Sequence, residues 1–180
     1  GSTANHQLSL EASRQGLVLL QNRNNTLPLA AGKLKLALIG PNVDTRALLV
    51  GGTGGCNLGA CLSAQVVCEG ALNASDWRCV RSIADEIRRL NVVVSSVSVT
   101  QGAAIHADYD PQQGKKAIEA AREADAVIFV LGGDWQVDHE GMDRQDLRLP
   151  GGQNDLIAAV MGDGGVKGKP SAAVLIHGGV

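Results

Sequence analysis

The chain has 180 residues, a formal net charge of −2 at pH 7 and an isoelectric point near 6.1. This charge balance lacks the basic surface that attracts nucleic acid or an anionic membrane, and no apolar run approaches the ~20 residues that span a bilayer. The length is that of one domain with a single hydrophobic core.

Apolar segments of two kinds alternate along the chain and predict strands and helices in turn. After a helical pattern at residues 6–16, the predicted strands are residues 35–40, 91–99, 125–133 and 171–179, and the predicted helices are residues 80–90, 111–124 and 151–162. Such alternation indicates an α/β fold, a three-layer α/β/α sandwich with a mostly parallel sheet. The last strand is continuously apolar, so we expect it to be buried. Because the chain stops directly after it, we expect the domain, residues 1–180, to be incomplete at its C-terminus.

The stretch 51–79 has no periodicity and is predicted to be a long, cross-linked loop. It carries the four cysteines of the chain, which are Cys56, Cys61, Cys68 and Cys79. The absence of a C-x-x-C pair argues against a zinc site, and we favour two disulfides over reduced thiols. Four cysteines allow three pairings, and the sequence does not choose among them. Glycosylation sequons at Asn24 and Asn73 fit the same oxidising, secretory environment.

The segment from Gly132 to Gly152, GGDWQVDHEGMDRQDLRLPGG, is rich in acidic residues, and we call it the acid loop. In open α/β sheets, ligands bind beyond the carboxyl ends of the strands. The loops after Ile39, Leu131 and Ile176 occupy such ends, so the acid loop is expected at the mouth of a crevice. At the first of these ends we interpret Asp44 as a helix cap. Three histidines are interpreted as structural, namely His6, His106 and His177.

Nucleotide and metal binding are both disfavoured. A G-x-G-x-x-G frame that opens at Gly52 meets Asn57 at its third glycine, and the P-loop-like GVKGKP has Pro170 where Ser or Thr is required. A calcium loop needs acids at alternate positions and a distant closing glutamate. The segment from Asp138 to Gly141 is too short for that pattern, so we expect no bound metal.

Acid/base catalysis is the third chemistry that the acid loop suggests. A loop glutamate at a crevice mouth donates a proton when burial raises its pKa toward neutrality, and Glu140 is the glutamate of this loop. Gly141 allows a bend beside it, and Arg144 is close enough in sequence to anchor Asp143. A solvated, salt-bridged loop remains the alternative interpretation of the same residues.

Three segments, in chain order, resemble family 3 glycoside hydrolases. EASRQGLVLLQNRNNTLPL (11–29) resembles the pattern E-A-A-R-x-G-I-V-L-L-K-N…L-P-L that opens the C-terminal α/β domain of that family. LALIGPNVD (36–44) resembles the next strand and turn. VIFVLGGDWQVDHEGMDRQDLRLPGGQNDLI (127–157) resembles the following strand, the E-G-x-D-R loop and the L-P-G-x-Q helix start.

The resemblance implies a retaining exo-β-glucosidase or β-xylosidase, which uses two carboxylates and no cofactor. It places the general acid/base on the E-G-x-D-R glutamate, here Glu140, and the nucleophilic aspartate on an N-terminal (β/α)8 barrel that these residues do not include. Asp143 and Arg144 match the remaining motif positions and are expected to support the loop. The residues expected to contact the substrate are Trp135, Asp138 and His139.

The expected protein is therefore a secreted glycosidase that acts on a β-linked oligosaccharide or glycoside, and the isolated chain is expected to be inactive. The alternative is a non-catalytic carbohydrate-binding or scaffold module with the same fold. A barrel carrying an acidic nucleophile would distinguish the enzyme from the module.

Overall fold

The computed structural model describes residues 2–29, 32–50, 69, 72–73, 76, 78–90, 94–134, 136–138 and 141–176. The chain divides into two compact units, residues 1–30 and residues 31–180, and each is described by itself. Within these described ranges, no helix is long and apolar enough to cross a membrane. The cysteines Cys56, Cys61 and Cys68 lie outside the described residues, whereas Cys79 lies in a turn.

The first unit consists of one helix and an irregular segment. Helix α1 (Thr3–Gly16) begins after Ser2, whose hydroxyl accepts a hydrogen bond from the Asn5 backbone N–H at 3.2 Å. The helix predicted at residues 6–16 is therefore present and begins three residues earlier. No residue of α1 is buried, and the apolar side chains of Leu17–Leu20 are exposed as well.

The second unit contains the remaining predicted elements. Its strands are β1 (Leu34–Ile39), β2 (Val94–Thr100), β3 (Ala126–Gly132) and β4 (Ser171–Ile176), and its helices are α2 (Ala47–Val50), α3 (Ile83–Arg89), α4 (Pro111–Glu123) and α5 (Gln153–Met161). Each strand and helix that the alternating pattern predicted in this part of the chain is present.

The four strands form one sheet in the order β2-β1-β3-β4, and all three pairings are parallel. The expected parallel sheet is therefore confirmed. Because the chain leaves β1 to add β2 on one side and later adds β3 on the other, the strand order reverses between β1 and β3. A crevice at the carboxyl ends of these two strands is where such sheets bind ligands.

Helices cover both faces of the sheet, which confirms the three-layer sandwich. On one face, Ala117 and Ala121 of α4 and Leu156 and Val160 of α5 are fully buried against the strands. On the opposite face, Ala84 of α3 packs in a second apolar cluster. Because these helices contribute mostly alanine, leucine and valine, they pack closely onto the strands with few aromatic side chains.

Strand β4 differs from the expectation that it would be buried. Its side chains at Val174 and Leu175 are 39% and 55% exposed, whereas β3 is buried along nearly its whole length. The difference arises from position in the sheet, because β3 lies between two strands and β4 is the edge strand of the described sheet. An apolar run predicts a strand but does not tell an edge strand from a central one.

Candidate functional site at the carboxyl edge of the sheet

Three described loops meet at the carboxyl edge of the sheet. They follow β1 (residues 40–46), β2 (residues 101–110) and β3 (the acid loop). The sequence predicted the loops after β1 and β3 at this edge, together with the residues after Ile176, which lie outside the described residues. The structure adds the loop after β2, because a parallel strand delivers its following loop to the same edge.

Two glycines end the neighbouring strands β1 and β3. Gly40 has φ +138°, and a Cβ on it would lie 2.1 Å from the carbonyl oxygen of Val130. Gly132 has φ +133°, and its Cβ would lie 1.8 Å from the carbonyl oxygen of Ile176. Both the backbone conformation and the space therefore require glycine, and the acid loop begins at one of these two positions.

A buried glutamine joins the two ends of the acid loop. Gln153, the first residue of α5, has no solvent exposure. Its Oε1 accepts a hydrogen bond from the Gly132 N–H at 2.9 Å, and its Nε2 donates to the carbonyl oxygens of Gly132 and Pro150, each at 2.8 Å. This bonding satisfies a polar group that would otherwise be costly to bury. This role of Gln153 was not predicted from the sequence, since a polar residue in the first turn of a helix is usually solvated.

The loop after β2 supports the far end of the acid loop. The Gly152 N–H donates to the carbonyl oxygen of Ala107 at 2.9 Å. A Cβ on Gly151, which has φ +59°, would lie 2.4 Å from the carbonyl oxygen of Ala104. The two backbones are therefore in direct contact, without an intervening side chain.

Tyr109 fills the space between the first turns of α4 and α5. A Cβ on Gly114 would lie 1.6 Å from the Tyr109 hydroxyl, and one on Gly152 would lie 2.5 Å from the Tyr109 backbone. Burial raises the pKa of Tyr109, and the carboxylates of Asp155 and Asp110 raise it further. The phenol is therefore neutral at physiological pH and acts here as a packing residue.

Asp134 directs the acid loop as it leaves β3. Its Oδ1 accepts a hydrogen bond from the Gln136 N–H at 2.9 Å, and its carbonyl oxygen accepts from the Val137 N–H at 3.0 Å. Its Oδ2 lies 2.8 Å from Nε2 of His106, in the loop after β2. Because a carboxylate only accepts hydrogen bonds, Nε2 of His106 carries the proton that it donates to Asp134.

The residues that the sequence assigned to catalysis and substrate binding are only partly described. Glu140, His139 and Trp135 lie outside the described residues. Asp138 is half-buried, and its backbone N–H approaches the Asp134 carbonyl oxygen at 3.4 Å. Asp138 therefore lies close to the carboxyl end of β3.

The second half of the acid loop is exposed and internally bonded. Gly141 has φ +85°, so the bend expected there is confirmed. Asp143 is exposed, and the guanidinium of Arg144 donates to the carbonyl oxygen of Arg148. Arg144 thus bonds the backbone of its own loop. Within the described ranges, no group of three or more His, Cys, Asp or Glu residues is placed to hold a metal ion.

The loop after β1 is bonded to α3, and this corrects the interpretation of Asp44. Its carboxylate accepts a hydrogen bond from the Ser82 hydroxyl at 2.6 Å instead of capping the helix that follows it. Arg46 donates to the Val80 carbonyl oxygen at 2.6 Å and pairs with Asp85 at 2.7 Å. The hydrogen bond from the Ser82 N–H lowers the pKa of Asp85 most, and the Arg46 guanidinium lowers it further. These contacts were not predictable from the sequence, because the partners are more than 30 residues apart.

Asn42, in the same loop, is held by its backbone. The residue is 2% exposed, and its backbone N–H approaches the Val130 carbonyl oxygen at 3.3 Å. Its side-chain Nδ2 is buried and has no hydrogen-bond partner in the described part of the chain. An unpaired buried donor costs folding free energy and does not add to it. The backbone contact is therefore what holds this residue.

These features define an α/β domain with a parallel sheet, a reversal of strand order and an anchored acidic loop at the carboxyl edge. The family model for the glycosyl hydrolase family 3 C-terminal domain matches residues 17–180. The chain therefore belongs to glycoside hydrolase family 3 and contains its C-terminal domain, as the sequence motifs indicated.

Named relatives and solved structures agree with this assignment. The chain is 32% identical to Beta-D-xylosidase 3 of Arabidopsis thaliana over 87% of its own length and 17% of that protein. It is 31% identical to a Beta-xylosidase of Formosa agariphila, with 99% and 22% covered, and 29% identical to the Periplasmic beta-glucosidase of Salmonella typhimurium, with 93% and 21% covered. A solved GH3 exo-beta-xylosidase in complex with a xylobiose aziridine probe superposes with a TM-score of 0.70 at 26% identity, over 98% of this chain and 22% of that one. The chain thus spans about a fifth of the length of these relatives.

Proposed function

We propose that this domain supplies the general acid/base to a retaining exo-β-glycosidase, and that Glu140 is the residue that carries the proton. In such an enzyme one carboxylate attacks the anomeric carbon while the other protonates the departing oxygen and later activates water. The nucleophilic aspartate is proposed to lie on an N-terminal (β/α)8 barrel, since the relatives are about five times longer than this chain.

The observation that carries the proposal is the anchoring of the acid loop. The loop begins at Gly132 and ends at Gly152, and Gln153 and the loop after β2 hold both ends in fixed positions. A proton donor must be held within hydrogen-bond reach of the leaving oxygen. A loop with a rigid base can present Glu140 to a substrate bound by another domain.

The other acid-loop residues have supporting roles in this proposal. Asp143 and Arg144 support the loop, and Arg144 has its contact to the Arg148 carbonyl oxygen as a means of doing so. We propose that Trp135, Asp138 and His139 contact the substrate from the part of the loop nearer to β3. The substrate is a terminal β-linked xylose or glucose, because the relatives named above are β-xylosidases and a β-glucosidase.

Glu140→Gln in the intact protein tests the proposal. Loss of the acid should lower kcat/KM by about 10²–10⁴-fold for aryl glycosides with poor leaving groups, and far less for a dinitrophenyl glycoside, whose leaving group needs no proton. Asp138→Asn tests whether the acid is Asp138 instead, because its carboxylate lies two residues before Glu140 in the chain. Glu119→Gln is the matched control, because Glu119 is exposed on α4.

The outcomes separate the enzyme from its alternative. An unchanged kcat/KM for poor leaving groups in the Glu140 variant would refute the assignment, and a loss only in the Asp138 variant would move the acid to Asp138. Hydrolysis of aryl glycosides by the 180-residue chain alone would also contradict the proposal, because the chain is proposed to lack the nucleophile. An intact protein without any glycosidase activity would favour the non-catalytic module.

We further propose that the protein is secreted, with disulfides in the 51–79 loop and glycans on Asn24 and Asn73. Within the described part of the chain no cysteine is a free thiol, and both asparagines are exposed. Cys79 would then pair with Cys56, Cys61 or Cys68. Peptide mass mapping of the secreted protein without reduction should show cross-linked cysteine peptides and glycan-modified asparagines. Free thiols at all four cysteines would contradict this part of the proposal.

A further inference from the structure

We propose that His106 is a positioning residue for the acid of the acid loop, acting through Asp134. This inference rests on the proposed function of Glu140. His106 carries no role in the family motifs from which Glu140 was assigned, and its position in the chain, 28 residues before Asp134, gives no sign of the contact.

The two oxygens of the Asp134 carboxylate bond different parts of the chain. Oδ1 is used within the acid loop, where the Gln136 N–H donates to it, and Oδ2 is used by His106. The Asp134 side chain is 23% exposed and that of His106 is 45% exposed. The pair is therefore partly shielded from water. Asp134 links the turn that begins the acid loop to the loop after β2.

The loop after β2 contacts the acid loop at both of its ends. At the start, His106 donates to Asp134. At the end, the carbonyl oxygen of the adjacent Ala107 accepts from the Gly152 N–H. Two consecutive residues thus hold the two ends of one loop. The contact at Ala107 uses the backbone alone, whereas the contact at Asp134 depends on the side chain of His106.

Asp134 and Glu140 lie close together along the chain. Glu140 is six residues after Asp134, and the Asp134 carbonyl oxygen accepts from the Val137 N–H, halfway between them. The orientation of Asp134 therefore bears on the turn at residues 134–137, from which the chain continues toward Glu140. A displacement of about 1 Å in a reacting group is enough to lower a rate by ~100-fold.

The test compares His106→Ala with His106→Gln in the intact protein. The Gln side chain reaches as far as Nε2 of histidine and still donates a hydrogen bond to the carboxylate. We expect His106→Ala to lower kcat/KM for a poor leaving group by about 10- to 100-fold, with little change for a dinitrophenyl glycoside, and His106→Gln to restore most of the loss.

A double-mutant cycle and a control complete the experiment. If the pair acts as a unit, His106→Ala with Asp134→Ala should lose no more than Asp134→Ala alone. Asp163→Ala is the matched control, since Asp163 and Lys167 form an exposed pair at 2.6 Å in the turn after α5. Equal losses for both leaving groups, or no rescue by glutamine, would overturn the positioning role.

The Glu140→Gln variant keeps the two proposals distinguishable. If Glu140→Gln loses activity selectively on poor leaving groups and His106→Ala does not, the positioning role fails while the proposed function stands. If Glu140→Gln shows no such selectivity, the proposed function fails, and with it the inference on His106.

Discussion

The side chain of Gln153 exchanges two hydrogen bonds with the backbone of Gly132, accepting from its N–H at 2.9 Å and donating to its carbonyl oxygen at 2.8 Å. One side-chain amide thereby bonds both main-chain groups of the last residue of β3. The second amide hydrogen bonds Pro150. A helix residue therefore continues the hydrogen bonding of the sheet at the point where the acid loop leaves it.

Replacing Gln153 should loosen the base of the acid loop. Gln153→Ala leaves the Gly132 N–H and two carbonyl oxygens without partners, which should cost about 2–4 kcal/mol locally. Gln153→Glu is the sharper variant, because its carboxylate accepts from Gly132 but faces two carbonyl oxygens. Hydrogen exchange of the β3 and α5 amides in the intact protein measures the effect. Protection equal to that of the wild type in both variants would contradict the structural role of Gln153.

Gly132→Ala should destabilise the domain through the backbone. The added methyl group meets the Ile176 carbonyl oxygen at 1.8 Å, and the residue has φ +133°. Both effects act against alanine, and together they should cost about 2–3 kcal/mol. Gly164→Ala is the matched control, because nothing lies within 4 Å of its Cβ position and its φ is not in the left-handed range. Thermal unfolding of the two variants should show a lower Tm for Gly132→Ala alone.

The pH dependence of stability should include a contribution from Asp85. Its folded pKa is depressed by the Ser82 N–H and by Arg46, so its ionised form stabilises the folded state above the unfolded pKa of about 3.9. This stabilisation is lost as the pH falls from 3.9 through the lower folded pKa. Asp85→Asn should therefore lower Tm near neutral pH, and the difference from the wild type should shrink over that acidic range. A difference that stays constant with pH would show that the charge of Asp85 is not the cause.

Much of the fold was predictable, because the strands and helices follow from local patterns. The apolar runs ending at Ile39 and Leu131 predicted two of the strands, and the glycines that follow marked their ends. The bend at Gly141 was predictable for the same reason, since a local conformation depends on a local residue.

Contacts between distant residues were not predictable. The pairing of His106 with Asp134 was not predictable, because nothing near His106 in sequence identifies Asp134 as its partner. Asp44 was interpreted as a helix cap, because Ser82 lies 38 residues away. The exposure of Leu175 depends on which strands flank β4, and this is a property of strand order. A single sequence records the strands and leaves their order to be found in three dimensions.

Gly40 and Gly132, the glycines at the ends of β1 and β3, have a consequence for how this edge of the sheet can evolve. Gly40 lies against the backbone of β3, and Gly132 lies against the backbone of β4, so each strand end overlaps the next in the same direction. These main-chain contacts limit how closely the strand ends approach each other. Residues in the loops that follow these two glycines can be exchanged, and the loops can be lengthened or shortened, without displacing the strands. The scaffold at this edge is separable from the chemistry it carries, so loops with new substrate preferences can be grafted onto an unchanged base.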